Sequence, residues 1–220
     1  MKHAVYMGTR NLYPVMLPPV RSLLANSEVD HVWLLTEDDA FPYPLPDPDR
    51  VHVVNVSGQP YFRHDGPNYH RKWTYMVLLK TALSKLFPGV DRMLCLDVDT
   101  FIVKNIDELW SMWLDDYYLA AVHDTGKNDP EYYNAGVMMM NLDKLRQDHM
   151  DDRLIDALNR IPFEFCEQEA ISLYCKGHIK RLSGNYNASS WTDKADDPKI
   201  IHYAAIRNWT DQPEYRRWCN

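Results

Sequence analysis

The chain holds 220 residues, 45% of them hydrophobic and 25% charged, values of an ordinary globular protein with a substantial core. A formal charge of −7 argues against a nucleic-acid partner, since phosphate backbones are bound by basic faces, and against adhesion to anionic lipid. Cys95, Cys166, Cys175 and Cys219 show neither C-x-x-C nor zinc spacing, so a reducing, cytoplasmic setting is expected. The opening Met1-Lys2-His3-Ala4-Val5-Tyr6-Met7 is too short and too polar for a signal peptide. No apolar run approaches the ~20 residues that cross a bilayer, so any membrane contact is expected to be peripheral.

Ala4–Met7 is expected to form a short strand. Val15–Leu24 follows with helical period, and Pro18-Pro19 should kink that helix or delay its start. His31–Thr36 and Val51–Val56 are β-branched runs bounded by turn residues. Between them Pro42, Pro44, Pro46 and Pro48 stiffen an extended link. Lys72–Leu86 reads as one long helix, stopped by Phe87-Pro88-Gly89, that delivers the chain to a strand at Met93–Leu96. Leu119–Val122 and Gly136–Asn141 are further strands; Asp143–Arg146, Arg153–Asn159 and Glu167–Tyr174 are helical, and Ile179–Leu182 and Ile200–Tyr203 are late strands. Strands interleaved with helices predict an α/β fold, a mixed, mainly parallel sheet flanked by helices. No repeat, low-complexity block or internal boundary appears, and residues 1–220 are read as a single domain.

The most informative stretch is Arg92-Met93-Leu94-Cys95-Leu96-Asp97-Val98-Asp99-Thr100. An apolar strand ends in two carboxylates, and alternation along an extended chain sends Asp97 and Asp99 to the same side. Such a pair repels itself unless a cation lies between, and open α/β sheets bind ligands at this carboxyl edge. The pattern points to a divalent metal holding an anionic ligand such as a diphosphate; the plainer alternative is one capping and one solvated aspartate. Only eight glycines are present, with no G-x-G-x-x-G, no G-x-x-x-x-G-K-[ST] and no G-x-S-x-G. Without a glycine cradle, a phosphate must be neutralised by metal and cationic side chains.

Other segments supply matching parts. Asn134-Ala135-Gly136 precedes a buried strand, where small residues admit a ligand and the Asn134 amide can serve a hydroxyl, or simply form a turn. Glu167 and Glu169 complement a helix dipole, whereas Gln168 has no such duty and can point into a cleft. His202 ends a late strand; as a third ligand its imidazole suits manganese better than magnesium, and otherwise it is a packed or surface histidine.

Taken in order, Asp97-Val98-Asp99, Asn134-Ala135-Gly136, Glu167-Gln168-Glu169 and His202-Tyr203-Ala204-Ala205-Ile206-Arg207-Asn208-Trp209 resemble glycosyltransferase family 8. Asn11-Leu12-Tyr13-Pro14-Val15-Met16-Leu17 with Arg21-Ser22-Leu23-Leu24 is similar to that family's opening. The resemblance spans Ala4 to Trp209 and implies a single GT-A-like nucleotide-sugar-binding domain. It implies that Asp97, Asp99 and His202 hold Mn²⁺, with Mg²⁺ as the alternative, on a donor diphosphate flanked by Val98. It also implies Tyr13 and Asn11 at the uracil, Lys80 where an arginine contacts donor, and Arg207 where a lysine meets the diphosphate. Asn134 and Ala135 would contact sugar hydroxyls, and Glu167 and Gln168 would be the catalytic pair beside the transferred sugar. Five residues depart from the family pattern: Ala205 replaces a glycine that can adopt φ > 0, Asn208 a proline and Glu167 an aspartate, while Thr9-Arg10 replaces acidic residues.

The resulting expectation is a metal-dependent, retaining transferase that moves glucose or galactose from a UDP-sugar to a glycan or lipid-linked acceptor. A sugar nucleotidyltransferase and a catalytically weak nucleotide-sugar-binding protein are the alternatives. The first of these should carry a basic, glycine-rich loop after its first strand, and Met7-Gly8-Thr9-Arg10 is a poor candidate.

Overall fold

The computed structural model describes residues 1–219. Nine strands alternate with helices, and seven of them form a sheet ordered β3-β2-β1-β4-β7-β6-β8. These are β1 (His3–Met7), β2 (His31–Thr36), β3 (Val51–Asn55), β4 (Arg92–Leu96), β6 (Leu119–His123), β7 (Tyr133–Asn141) and β8 (Ile179–Leu182). All neighbours pair in parallel except β7, which runs antiparallel to both β4 and β6. The mixed, mainly parallel sheet expected from the sequence is therefore present. Ile200–His202 (β9) stands outside it, pairing antiparallel with the short β5 (Thr100–Ile102).

Alternation builds a core on each face. Val5, Met93, Cys95, Met138 and Met140 pack to one side, and Ala4, Tyr6, Leu94, Leu96, Val137 and Met139 to the other. A central strand buried on both faces needs a continuous apolar run, which explains why β4 and β7 lack polar alternation. Helix α1 (Tyr13–Asn26) covers one face, and the helices Met150–Arg160 and Cys166–Tyr174 cover the other. The prolines do not delay α1: it begins at Tyr13, five residues before Pro18, with Pro14 in its first turn, where a missing N–H costs nothing. Among the described residues no helix is long and apolar enough to cross a membrane.

The long helix expected over Lys72–Leu86 is a 3₁₀ segment, Tyr75–Ala82, followed by one α turn, Leu83–Leu86. The tighter winding has a consequence. With three residues per turn, positions i and i+3 eclipse, so Thr74, Val77 and Lys80 line up along one cavity wall. An α-helix would rotate Lys80 well away from Thr74.

At the opposite end of the sheet, β1 to β3 bring three histidines together. Trp33 Nε1–H donates to His3 Nδ1 at 3.2 Å, and His31 Nδ1 lies 3.0 Å from His52 Nε2. Both contacts need an unprotonated imidazole nitrogen. Burial, reinforced by neighbouring His31, holds His3 and His52 below their ordinary pKa. The unfolded chain thus binds these protons more readily, so stability is full above pH 6.5 and falls as the pH drops toward the depressed folded values. The melting temperature is expected to fall between pH 7 and pH 5.5, and less steeply in His52→Gln; parallel curves would dispose of this assignment.

Candidate active site

Strand β4 ends at Leu96, and Asp97-Val98-Asp99 forms a turn into β5 rather than an extended continuation. Thr100 closes it, its N–H and Oγ1 both reaching the Asp97 carbonyl at 3.2 and 2.7 Å. The two carboxylates converge through this turn, not through strand alternation, which corrects the expectation from the sequence. Antiparallel pairing of β5 with β9 then sets Thr100 opposite His202. His202 Nε2 lies 3.2 Å from Asp99 Oδ1 and 4.0 Å from Asp97 Oδ2. One ligand atom from each of Asp97, Asp99 and His202 falls within 4.8 Å of the others.

The imidazole is buried at 5% exposure, and its Nδ1 lies 2.8 Å from Asn187 Oδ1. Burial disfavours its charge, but the adjoining Asp99 carboxylate outweighs burial and raises the pKa of His202. The same pairing overcomes burial and holds Asp99 below the ordinary carboxylate value. Gly136 makes room for the ring, since a Cβ there would stand 2.1 Å from His202 Cε1. Two carboxylates and an imidazole suit a divalent cation, and Nε2 faces the carboxylates while Nδ1 is engaged elsewhere. The residues fit the group.

Lys80 is 1% exposed, and its ammonium is fully committed. Nζ meets Asp97 Oδ1 at 2.7 Å, Glu167 Oε1 at 3.1 Å and the Ala135 carbonyl at 3.0 Å. Burial works against the charge, but the Asp97 and Glu167 carboxylates prevail and lift the Lys80 pKa above its ordinary value. Three donors are therefore spent on three protein acceptors. Lys80 holds Asp97 in place and has no donor left for a diphosphate.

On the opposite wall, the Cys166–Tyr174 helix opens with Cys166 at φ 45°, a left-handed conformation strained for a side chain with a Cβ. Gln168 Oε1 accepts the Ala135 N–H at 3.0 Å, and its Nε2 donates to Asp124 Oδ2 at 3.2 Å. Asn134 Nδ2 donates to the same Asp124 oxygen at 3.0 Å. Asp124 was missed in the sequence. It follows β6 as Asp97 follows β4, a carboxylate at the carboxyl end of a buried strand, and that shared position was the available signal.

These groups surround one cavity of about 540 Å³. Lys80, Asp97, Val98, Asp99, Asn134, Ala135, Glu167, Gln168 and His202 all line it; Asn11, Tyr13 and Arg207 do not. The Tyr13 ring packs on Phe41 at 5.1 Å and is 4% exposed, with its hydroxyl taking the Glu37 N–H at 2.7 Å. It presents no open face to a stacking base. Arg10 is drawn to the end of β2, pairing with Asp38 at 2.8 Å. Arg207 is exposed, beyond the turn that carries Ala205. Ala205 has φ 60°, so the position does require the left-handed backbone that the family's glycine supplies freely, at a cost of about 1 kcal/mol for alanine.

A mainly parallel sheet with an acidic pair and a histidine beside a deep cavity at its carboxyl edge is the GT-A-like architecture of glycosyltransferases. The sequence profile of Glycosyl transferase family 8 matches residues 47–212, and the chain belongs to that family. It is 30% identical to glycosyltransferase GlyA of Streptococcus pneumoniae over 158 residues, 65% of this chain and 23% of that protein. With the first curated relatives it matches, the chain spans 23% to 44% of their length. The structure of galactosyltransferase LgtC, in complex with donor and acceptor sugar analogs, superposes with TM-score 0.72 at 18% identity, covering 97% of this chain and 93% of that one. The bifunctional glycosyltransferase WbbM superposes with TM-score 0.75 at 14% identity, over 98% of this chain and 50% of that one.

Proposed function

We propose that residues 1–220 form one GT-A-like domain of a metal-dependent, retaining glycosyltransferase. It moves glucose or galactose from a UDP-sugar to a glycan or glycolipid acceptor. The observation that carries this reading is the convergence of Asp97, Asp99 and His202 on one point of the cavity, beside Asn134, Glu167 and Gln168. A divalent cation held there, Mn²⁺ or Mg²⁺, would neutralise the donor diphosphate and stabilise charge on the leaving oxygens.

The chain's own groups do the rest. Lys80 clamps Asp97 and draws the Glu167 carboxylate down beside it, so Glu167 is tied in an ion pair rather than free to attack the sugar. Gln168 is held at both ends of its amide, and an amide is a poor nucleophile. Both facts support front-face substitution, with Gln168 orienting the cationic sugar. The cavity mouth carries Trp73 and Trp191, 37% and 47% exposed, with Phe165 beside Trp73 at 5.8 Å. Aromatic faces of this kind suit the apolar faces of an acceptor's sugar rings.

Neither alternative has comparable support. A nucleotidyltransferase would need basic donors free in its first loop, and Arg10 there is spent on Asp38. A panel of nucleotide sugars, screened by thermal shift with Mn²⁺ and with chelator, tests the reading. UDP-glucose or UDP-galactose should give the largest rise, and only with metal. A larger rise with GDP-mannose would refute the uracil assignment, and an equal rise in chelator would refute the metal.

A further inference from the structure

Asn187 is wholly buried, lies outside the cavity lining, and has no role in the family motifs described above. It nonetheless stands between the metal cluster and the sugar pocket in an unbroken chain of hydrogen bonds. From the pocket end, Asp124 Oδ2 takes Asn134 Nδ2 at 3.0 Å, and Asn134 Oδ1 takes both the Gly136 N–H at 3.0 Å and Asn187 Nδ2 at 2.8 Å. Asn187 Oδ1 then meets His202 Nδ1 at 2.8 Å, and His202 Nε2 faces Asp99.

The polarity of every link is dictated from fixed ends. An ionised carboxylate only accepts, so Asn134 must present its NH₂ to Asp124. A backbone N–H only donates, so Asn134 must present its oxygen to Gly136. With that oxygen committed, Asn187 has to donate its NH₂ to it, which turns the Asn187 oxygen toward the imidazole. An amide oxygen cannot donate, so His202 Nδ1 must carry the proton. Without a cation Nε2 carries its own proton toward Asp99 at 3.2 Å; a cation held beside Asp97 and Asp99 would replace that proton and meet the Nε2 lone pair, already aimed at it.

The loop is built to hold this amide. A Cβ on Gly184 would stand 2.2 Å from the Asp193 carbonyl, so only glycine allows the Gly184–Tyr186 turn that precedes Asn187. Ala188 N–H reaches Ile200 O at 2.9 Å and His202 N–H reaches Ala188 O at 3.0 Å, zipping the loop to β9. Thr192 Oγ1 donates to the Asn187 carbonyl at 2.5 Å.

We propose that Asn187 is a positioning residue that fixes the tautomer and ring plane of His202, with Asp124 and the Gly136 N–H as the far anchors of the relay. It rests on the reading of Asp97, Asp99 and His202 as a divalent-cation site. The sugar-pocket amide and the metal ligand are then one hydrogen-bonded unit, so disturbing either end is felt at the other.

The test measures Mn²⁺ binding by electron paramagnetic resonance in the wild type, Asn187→Ala and Asn187→Asp, all checked for folding by circular dichroism. Asn187→Ala should bind Mn²⁺ roughly 10–100-fold more weakly, the scale for losing an outer partner of a ligating histidine. Asn187→Asp keeps an acceptor for Nδ1–H but has no donor for Asn134 Oδ1, so it should recover only part of that loss. Equal affinity in wild type and Asn187→Ala overturns the proposal while leaving the cation site intact. No Mn²⁺ binding by the wild type overturns the cation site itself. Should Asn187→Ala not fold, nitrogen NMR of ¹⁵N-histidine-labelled wild type with Mg²⁺ decides the matter, with His202→Gln identifying the signal. Nδ1 protonated and Nε2 bare supports the relay; the reverse tautomer overturns it.

Discussion

Replacing Lys80 with methionine is expected to destabilise the fold by about 3 kcal/mol. The change leaves two carboxylates, Asp97 and Glu167, near each other without their cation, and removes the ammonium donor from the Ala135 carbonyl. Removing one partner of a buried ion pair costs about 3–5 kcal/mol, and the 32% exposure of the Asp97 side chain draws the figure to the lower end, since water relieves part of its loss. Urea unfolding of Lys80→Met measures it. Lys80→Met combined with Glu167→Gln should recover part of the loss, because one of the two stranded charges is gone. A single variant within about 1 kcal/mol of wild type would show that the ammonium does not hold this wall together.

Asp99→Ala should abolish metal-dependent binding of UDP. Asp99 supplies a ligand atom to the cluster and also holds the imidazole of His202 at 3.2 Å, so its loss frees two groups together. The fall in affinity should exceed the ~10–100-fold that losing an outer partner costs a metal site. His202→Ala should weaken binding less, since both carboxylates and the ligand's own oxygens remain. Calorimetric titration of UDP in the presence of Mn²⁺ orders the two. Near-normal affinity in Asp99→Ala would remove that carboxylate from the account.

Much of this was legible in the chain. The runs at Met93–Leu96 and Leu119–Val122 are uninterrupted apolar because both faces of those strands are buried, and they read as central strands for that reason. Asp97 and Asp99 announced themselves by ending such a run, and Gln168 by being an amide in a helix start that otherwise favours acids. The rest depends on contacts that sequence spacing does not encode. Asp124 carries no motif of its own, and its partners Asn134 and Gln168 lie 10 and 44 residues away. The 3₁₀ winding of Tyr75–Ala82 has the composition of an ordinary helix, and the ion pair of Lys80 with Asp97 joins residues 17 apart in a way that helical period does not encode. Tyr13 and Arg207 were placed at the donor by resemblance, and the structure sets one against Phe41 and the other in an exposed segment after Ala205.

A UDP-sugar presented by the Asp97–Asp99–His202 site should be cleaved with retention. Proton NMR of UDP-glucose and UDP-galactose incubated with the protein addresses it directly, with Mn²⁺ in one arm and chelator in the other. Slow release of sugar to water is expected with Mn²⁺ alone, the first-formed product carrying the α-anomeric signal of the donor. A β-anomer as the first product would contradict retention, and equal release in chelator would contradict the metal. Tight binding of UDP-sugar with no release at all would leave a binding protein in place of the transferase.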